Sequence, residues 1–242
     1  MAREIKSATP APYSDVLLEP IAEILRSTIV RPSKGSPILL DPFGGLGIKF
    51  AMIAAAIGAD PLAFEIEPGY FDLGATHACV RNVDSTCMPL ADNSIDGACT
   101  SPAYPNGVSD NFVSNDGTVR HTYVHYLRHL LRNPGYHLHP NNAGGMNPRR
   151  SAGALAKFYA LHEQVWAEMF RVLKPGAPFV VNTKDTTTVF FRSDTEAQLY
   201  AAGFEPFEQR HVIPVRGLNH GQHQDTEHKL PHEDLTVVRK PL

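Results

Sequence analysis

Two short runs carry residue types that could do chemistry. One is TSPAYPNG, Thr100 to Gly107, which follows the apolar run SIDGACT and sets Tyr104 between two prolines, after Ser101, Pro102 and the small Ala103. A buried strand ending this way turns its corner unusually, although a structural Ser-Pro turn with a packed tyrosine is the plain alternative. The other run is DPFGGLG, Asp41 to Gly47. Glycines such as Gly44, Gly45 and Gly47 let a backbone approach a ligand closely, and a helix starting after them offers unpaired N–H groups. A simple turn would also account for the run. Glu65 stands 24 residues after Asp41, at the end of the next apolar stretch. A carboxylate in that position accepts hydrogen bonds from a ribose hydroxyl pair in nucleotide-binding α/β folds; otherwise it is a solvated strand end.

The charge of the ligand can be narrowed. The loop has no Walker lysine followed by Ser or Thr, and its spacing is not G-x-G-x-x-G, so neither a P-loop nor a dinucleotide fingerprint is present. Asp41 at the mouth of such a loop repels phosphate and suits a cationic ligand. S-adenosylmethionine, with its amino group, sulfonium and adenosine, is a ligand of that kind.

The elements that must hold these runs follow from periodicity. DVLLEPIAEILRSTIV, residues 15–30, has helical spacing with Ser14 as its N-cap. SPILLD reads as a buried strand, GIKFAMIAAAIG as a helix closed by Gly58, PLAFEIE as a second strand and GYFDLGATHA as a short helix. VRNVD and SIDGACT are further strands. Residues 151–176 form a long amphipathic helix whose apolar face is Leu155, Phe158, Leu161, Val165, Met169 and Val172, ended by Lys174-Pro175-Gly176. APFVVNT is a fifth strand, SDTEAQLYAAGF a helix capped by Ser193, FEPFEQRHVIPV a sixth strand and DLTVVRK a last one. Strands alternating with helices predict a mostly parallel sheet with helices on both faces.

The chain of 242 residues, with a formal net charge of −3, suits one domain spanning 1–242. No window approaches the roughly 18 consecutive apolar residues of a membrane span. The N-terminus lacks a signal pattern, and three irregularly spaced cysteines fit a reducing compartment, so a cytoplasmic location is expected. Two stretches exceed ordinary α/β connections: an insertion at about 105–153 and a histidine-rich loop at about 216–233. From Gly117 to His162 there is no Asp or Glu, while Arg120, Arg128, Arg132, Arg149, Arg150 and Lys157 give that interval a formal charge of +6.

Taken in order, these runs resemble the S-adenosylmethionine-dependent amino-methyltransferases of DNA. DPFGGLG is similar to their D-P-F-x-G-x-G motif, FEIEPGY to their acidic motif, TSPAYPNG to their S/D/N-P-P-Y/F/W catalytic motif, and RVLKPGAPFVVNT to their helix-to-fifth-strand passage. The resemblance spans roughly residues 37–185. It implies a class I methyltransferase fold, α/β with a seven-stranded mostly parallel sheet and an antiparallel last strand. It also implies S-adenosylmethionine held by Asp41, Phe43, Gly44, Gly45, Gly47 and Glu65, with Asp84 meeting the adenine amine.

For catalysis, the resemblance implies Ser101 Oγ and the Pro102 carbonyl as acceptors around the N–H groups of an exocyclic base amine. Such an amine is conjugated with its ring and becomes nucleophilic as its nitrogen turns tetrahedral. Tyr104 would stack on a base flipped out of duplex DNA. Ser at the head of the motif leans toward cytosine N4 over adenine N6. Ala103 departs from the pattern, which has a second proline there, although Pro105 still holds Tyr104 extended. The acid-free interval would then hold phosphates through Arg120, Arg128, Arg132, Arg149 and Arg150. A DNA-facing helix is expected over HTYVHYLRHLLR, and its three histidines have no carboxylate or cysteine with which to build a metal site. An RNA-base methyltransferase and a catalytically silent nucleic-acid-binding module are the alternatives.

Overall fold

A computed structural model describes residues 15–72, 74, 76–103, 131–146, 152–183, 191–207, 211–214 and 232–242. Tyr104, Arg120, Arg128, Arg149, Arg150, Ser14, all but the last two residues of the helix expected over 121–132 and most of the histidine-rich loop lie outside these residues. The described chain opens with a 3-10 turn, Asp15–Leu17, and α1, Leu18–Thr28. There follow β1 (Ile38–Asp41), α2 (Ile48–Ile57), β2 (Asp60–Glu65), α3 (Pro68–Asp72), β3 (Val80–Asn82) and β4 (Gly97–Thr100). After a 3-10 turn at Ala143–Gly145 come α4 (Ala152–Val172), β5 (Pro178–Thr183), α5 (Phe191–Ala201), β6 (Glu205–Pro206), β7 (His211–Pro214) and β8 (His232–Arg239).

Among the described residues these strands form one sheet in the order β3-β2-β1-β4-β5-β8-β6, with β7 also on β8. β1 to β5 are mutually parallel, and β8 runs antiparallel to β5. The two faces follow from the period of two along each strand. Leu39, Ala63, Cys99, Val180 and Val237 point to the side covered by α1 and α2. Their neighbours Leu40, Phe64, Ala98, Phe179 and Val238 point to the side where α4 packs through Val165, Trp166, Met169 and Val172. This is the expected α/β sheet with helices on both faces. Because β1 to β4 are parallel, the loops that follow them gather at one edge, where ligands sit in open α/β sheets.

Several expected bounds change. The sixth strand is divided into β6 and β7, which share one edge of β8 with a register slip of two residues between them. Pro206, which cannot donate to a ladder, is tolerated because β6 lies at the sheet edge. SIDGACT is a strand only over Gly97–Thr100, with Ile95 making an isolated bridge to Leu173. Asp96 instead uses its carboxylate to accept from Ile38 N–H at 2.8 Å and from Lys174. Ser193 is not a cap: α5 begins at Phe191, whose buried ring packs on Phe158 of α4 with 5.6 Å between centroids and draws the helix start forward. The short helix after β2 stops at Asp72.

Candidate functional site

The glycine run forms the turn between β1 and α2, and its glycines have steric reasons. Gly44 N–H donates to Phe64 O at 2.8 Å, which draws the turn against β2. A Cβ on Gly44 would come within 2.6 Å of Ala63 Cβ. Gly47 is the N-cap of α2 at φ +73°, and a Cβ there would lie 2.3 Å from Val80 Cγ2. Gly45 is also left-handed, at φ +52°. Asp41 does not stand open at the mouth of this turn. It is fully buried, and its Oδ1 accepts from Thr100 Oγ1 at 2.7 Å and from Phe43 N–H at 2.9 Å. The carboxylate therefore braces the ends of β1 and β4.

Glu65 ends β2 and is partly buried. Its Oε1 accepts from Glu67 N–H at 2.8 Å, and the backbone of Gly45 favours its ionised form, which ties it to both the glycine turn and the loop after β2. Burial outweighs these bonds and pushes its pKa up to about 7, with the neighbouring Glu67 charge adding to the rise. A carboxylate has about four acceptor positions. Room remains for a donor from a ligand.

Asp84 follows β3. Its Oδ1 accepts from Thr86 N–H at 3.0 Å and Thr86 Oγ1 at 2.8 Å, and its Oδ2 from Asn141 Nδ2 at 2.8 Å. Burial works against its ionised form, but the Asn141 amide and the Thr86 donors outweigh it and hold the carboxyl below the usual range.

Ser101 and Pro102 follow β4 directly and are buried; Ala103 is partly buried. Ser101 Oγ accepts from Asn182 Nδ2 at 3.3 Å, and the same nitrogen donates to Glu233 Oε2 at 2.9 Å. Among the described residues, Asn182 Oδ1 and its neighbour Thr183 Oγ1 are buried without a hydrogen-bond partner. The end of β5 thus carries two unused polar atoms on the strand next to that of Ser101. Thr100, one residue before Ser101, reaches Asp41, so the Ser-Pro corner and the glycine turn meet at one point.

Phe43 stacks on His162 of α4, with ring centroids 5.3 Å apart and planes 20° apart. His162 is buried, its Nδ1 lies 2.9 Å from Phe158 O, and burial depresses its pKa to about 4. The carbonyl needs a proton at Nδ1, which leaves Nε2 a bare acceptor, and that atom has no partner among the described residues. Ala103 packs on the adjoining cluster of Phe158, Leu161 and Phe191.

Sequence reasoning missed Glu67, only 1% exposed. Its carboxylate accepts from Tyr136 Oη at 2.7 Å, His139 N–H at 2.8 Å and Asn142 Nδ2 at 2.6 Å. Residues 131–146, part of the acid-free interval, are therefore clasped onto the loop after β2. Lys157 Nζ donates to Pro140 O at 3.1 Å, while Arg132 stands exposed at φ +50°. The second acidic residue in FEIEPGY was the only sequence signal for this clasp.

The structure thus brings Asp41, Phe43, Gly44, Gly45, Gly47, Glu65, Asp84, Ser101 and Pro102 to the same edge of the sheet. Among the described residues no group of three or more His, Cys, Asp or Glu could hold a metal ion, and no helix is long and apolar enough to cross a membrane.

No family model matches the sequence, and no curated protein matches it. Among solved structures, the chain is similar to the 1,6-didemethyltoxoflavin-N1-methyltransferase of Burkholderia thailandensis, bound to 1,6-didemethyltoxoflavin and S-adenosylhomocysteine. The two share 15% identity over 93% of this chain and 78% of that one, with a TM-score of 0.50. It is also similar to a SAM-dependent methyltransferase of Methanosarcina mazei, at 12% identity over 90% of this chain and 97% of that one, TM-score 0.49. The [4+2]-cyclase SpnF aligns at 14% identity over 93% of this chain and 82% of that one, TM-score 0.48. At such identities the likeness is one of fold, and the fold is that of the class I methyltransferases.

Proposed function

We propose that the chain is an S-adenosylmethionine-dependent methyltransferase acting on an exocyclic amino group of a DNA base, cytosine N4 in preference to adenine N6. The observation that carries this is the meeting of the Ser101-Pro102 corner with the glycine turn through the Thr100–Asp41 bond. It sets a pair of acceptors beside a loop suited to a cationic nucleoside. The donor and acceptor chemistry at the other strand ends fits that cofactor: Glu65 for the ribose hydroxyls, Asp84 for the adenine end, and a buried negative charge at Asp41 near the amino acid and sulfonium.

When bound, S-adenosylmethionine supplies an electrophilic methyl group on sulfur. Ser101 Oγ and the Pro102 carbonyl accept from the two N–H bonds of the target amine, which favours a tetrahedral nitrogen with its lone pair free of the ring. Asn182 fixes the Ser101 hydroxyl by donating to it, and so leaves the second lone pair of Oγ for the amine. As the amine nitrogen took the methyl group, the sulfur–methyl bond would break to leave neutral S-adenosylhomocysteine, and one of the two amine protons would pass to water. In-line placement against the methyl group does more here than a strong base. Tyr104, outside the described residues, would stack on the flipped base, and the arginines of the insertion would hold phosphates.

The test is transfer of isotope-labelled methyl from S-adenosylmethionine by the purified protein to duplex DNA and to tRNA, with Ser101→Ala as control. Label on cytosine N4 in DNA, lost in the variant, is expected. Label in tRNA alone, or Ser101→Ala with full transfer to DNA, would overturn the assignment.

A further inference from the structure

The stretch Tyr136 to Asn142 closes over the loops after β2 and β3 at three side chains. Tyr136 and Asn142 are committed to Glu67, and Asn141 reaches Asp84. Asp84 holds its carboxyl below the usual range, and an ionised carboxylate only accepts. It therefore fixes which end of the Asn141 amide faces it. Nδ2 donates one hydrogen to Asp84; with the hydrogen trans to Oδ1 used there, Oδ1 and the other Nδ2 hydrogen lie side by side as an acceptor and a donor. An amide edge of that polarity matches adenine, which presents its 6-amino donor beside a ring-nitrogen acceptor. Hypoxanthine, with an oxygen in place of the amine, meets the same edge with acceptor against acceptor.

We infer that Asn141, oriented by Asp84, reads the adenine edge of the cofactor, so that a residue of the insertion completes the cofactor pocket. This inference rests on the proposed S-adenosylmethionine site. It assigns the insertion a second duty besides substrate contact: the arm that would meet nucleic acid is anchored on the cofactor's own recognition group.

The experiment is calorimetric titration of the full chain with S-adenosylhomocysteine and with its inosine counterpart, for wild type, Asn141→Ala and Asn141→Ser. Asn141 lies in a surface loop, and thermal melts of both variants check that the fold is kept. Wild type is expected to prefer the adenosine compound by about tenfold or more. Each variant should bind it about tenfold more weakly and retain no more than about a twofold preference. Undiminished preference in both variants would assign the reading to Asp84 alone and overturn the inference. Tighter binding of S-adenosylhomocysteine by the variants would also overturn it, because the amide would then merely occupy the adenine's place. Wild type that binds S-adenosylhomocysteine without preference sinks the inference while leaving the cofactor reading intact; wild type that binds neither compound sinks both.

Discussion

With Glu65 holding the ribose hydroxyls as proposed, cofactor affinity should be sensitive to pH near neutrality. Its carboxyl titrates at about 7 instead of 4.5 because burial disfavours the charge. From pH 6 to pH 8 its ionised fraction rises from about one-tenth to about nine-tenths. Ribose hydroxyls donate best to the ionised form, so the dissociation constant of S-adenosylhomocysteine should fall about tenfold over that interval. Stability moves the other way. A carboxyl with a raised folded-state pKa binds its proton more tightly in the fold, so its contribution is fully present below 4.5 and is lost as pH rises through about 7. The loss has a ceiling of roughly 3 kcal/mol, reduced because Glu65 is only partly buried. Calorimetry at half-unit pH steps on wild type and Glu65→Gln measures the first effect, and urea melts measure the second. Glu65→Gln should bind more weakly at pH 8 and lose the slope. A flat wild-type profile, or an unchanged slope in Glu65→Gln, would refute the reasoning.

Other substitutions test the supporting structure. Gly44→Ala and Gly47→Ala each place a Cβ well inside contact distance, against Ala63 and Val80, and should cost on the order of 1–3 kcal/mol in urea melts; an unchanged midpoint would contradict the close approach to β2 and β3. Glu67→Ala leaves three buried or half-buried donors without their acceptor and should cost roughly 3 kcal/mol, lowering Tm by about 6–12 °C. Faster amide exchange in residues 131–146 should accompany it, and unchanged protection there would show that the clasp holds nothing. Asn182→Asp sets two carboxylates against each other and removes the donor to Ser101. Adding Glu233→Gln should restore stability but leave methyl transfer about tenfold down. Recovery of both would reduce Asn182 to a packing role.

The sheet and the glycine turn were legible because local rules agree there. Leu39-Leu40 and Ala63-Phe64 alternate between two covered faces, Gly47 and Gly58 bracket α2 in left-handed backbone, and Glu65 falls at a strand end. Contacts made across long sequence separations were not. Nothing local in FEIEPGY says that Glu67 meets Tyr136 and Asn142, about seventy positions away. Composition placed those residues in an acid-free interval, and such an interval can also receive a buried acid from elsewhere. Asp41 was read as open because a loop's charge is visible in sequence while its partner, Thr100 on another strand, is not. Asn182 and Glu233 become meaningful only when the register places β5 between β4 and β8.

The central claim is methyl transfer to a DNA base at the Ser101-Pro102 corner. Its most direct measurement is nucleoside mass spectrometry of host DNA and RNA after expression of the chain and of a Tyr104→Ala control. The account predicts N4-methylcytosine in DNA that disappears in the control. DNA without any new methylated base, while RNA gains one or neither does, would contradict it.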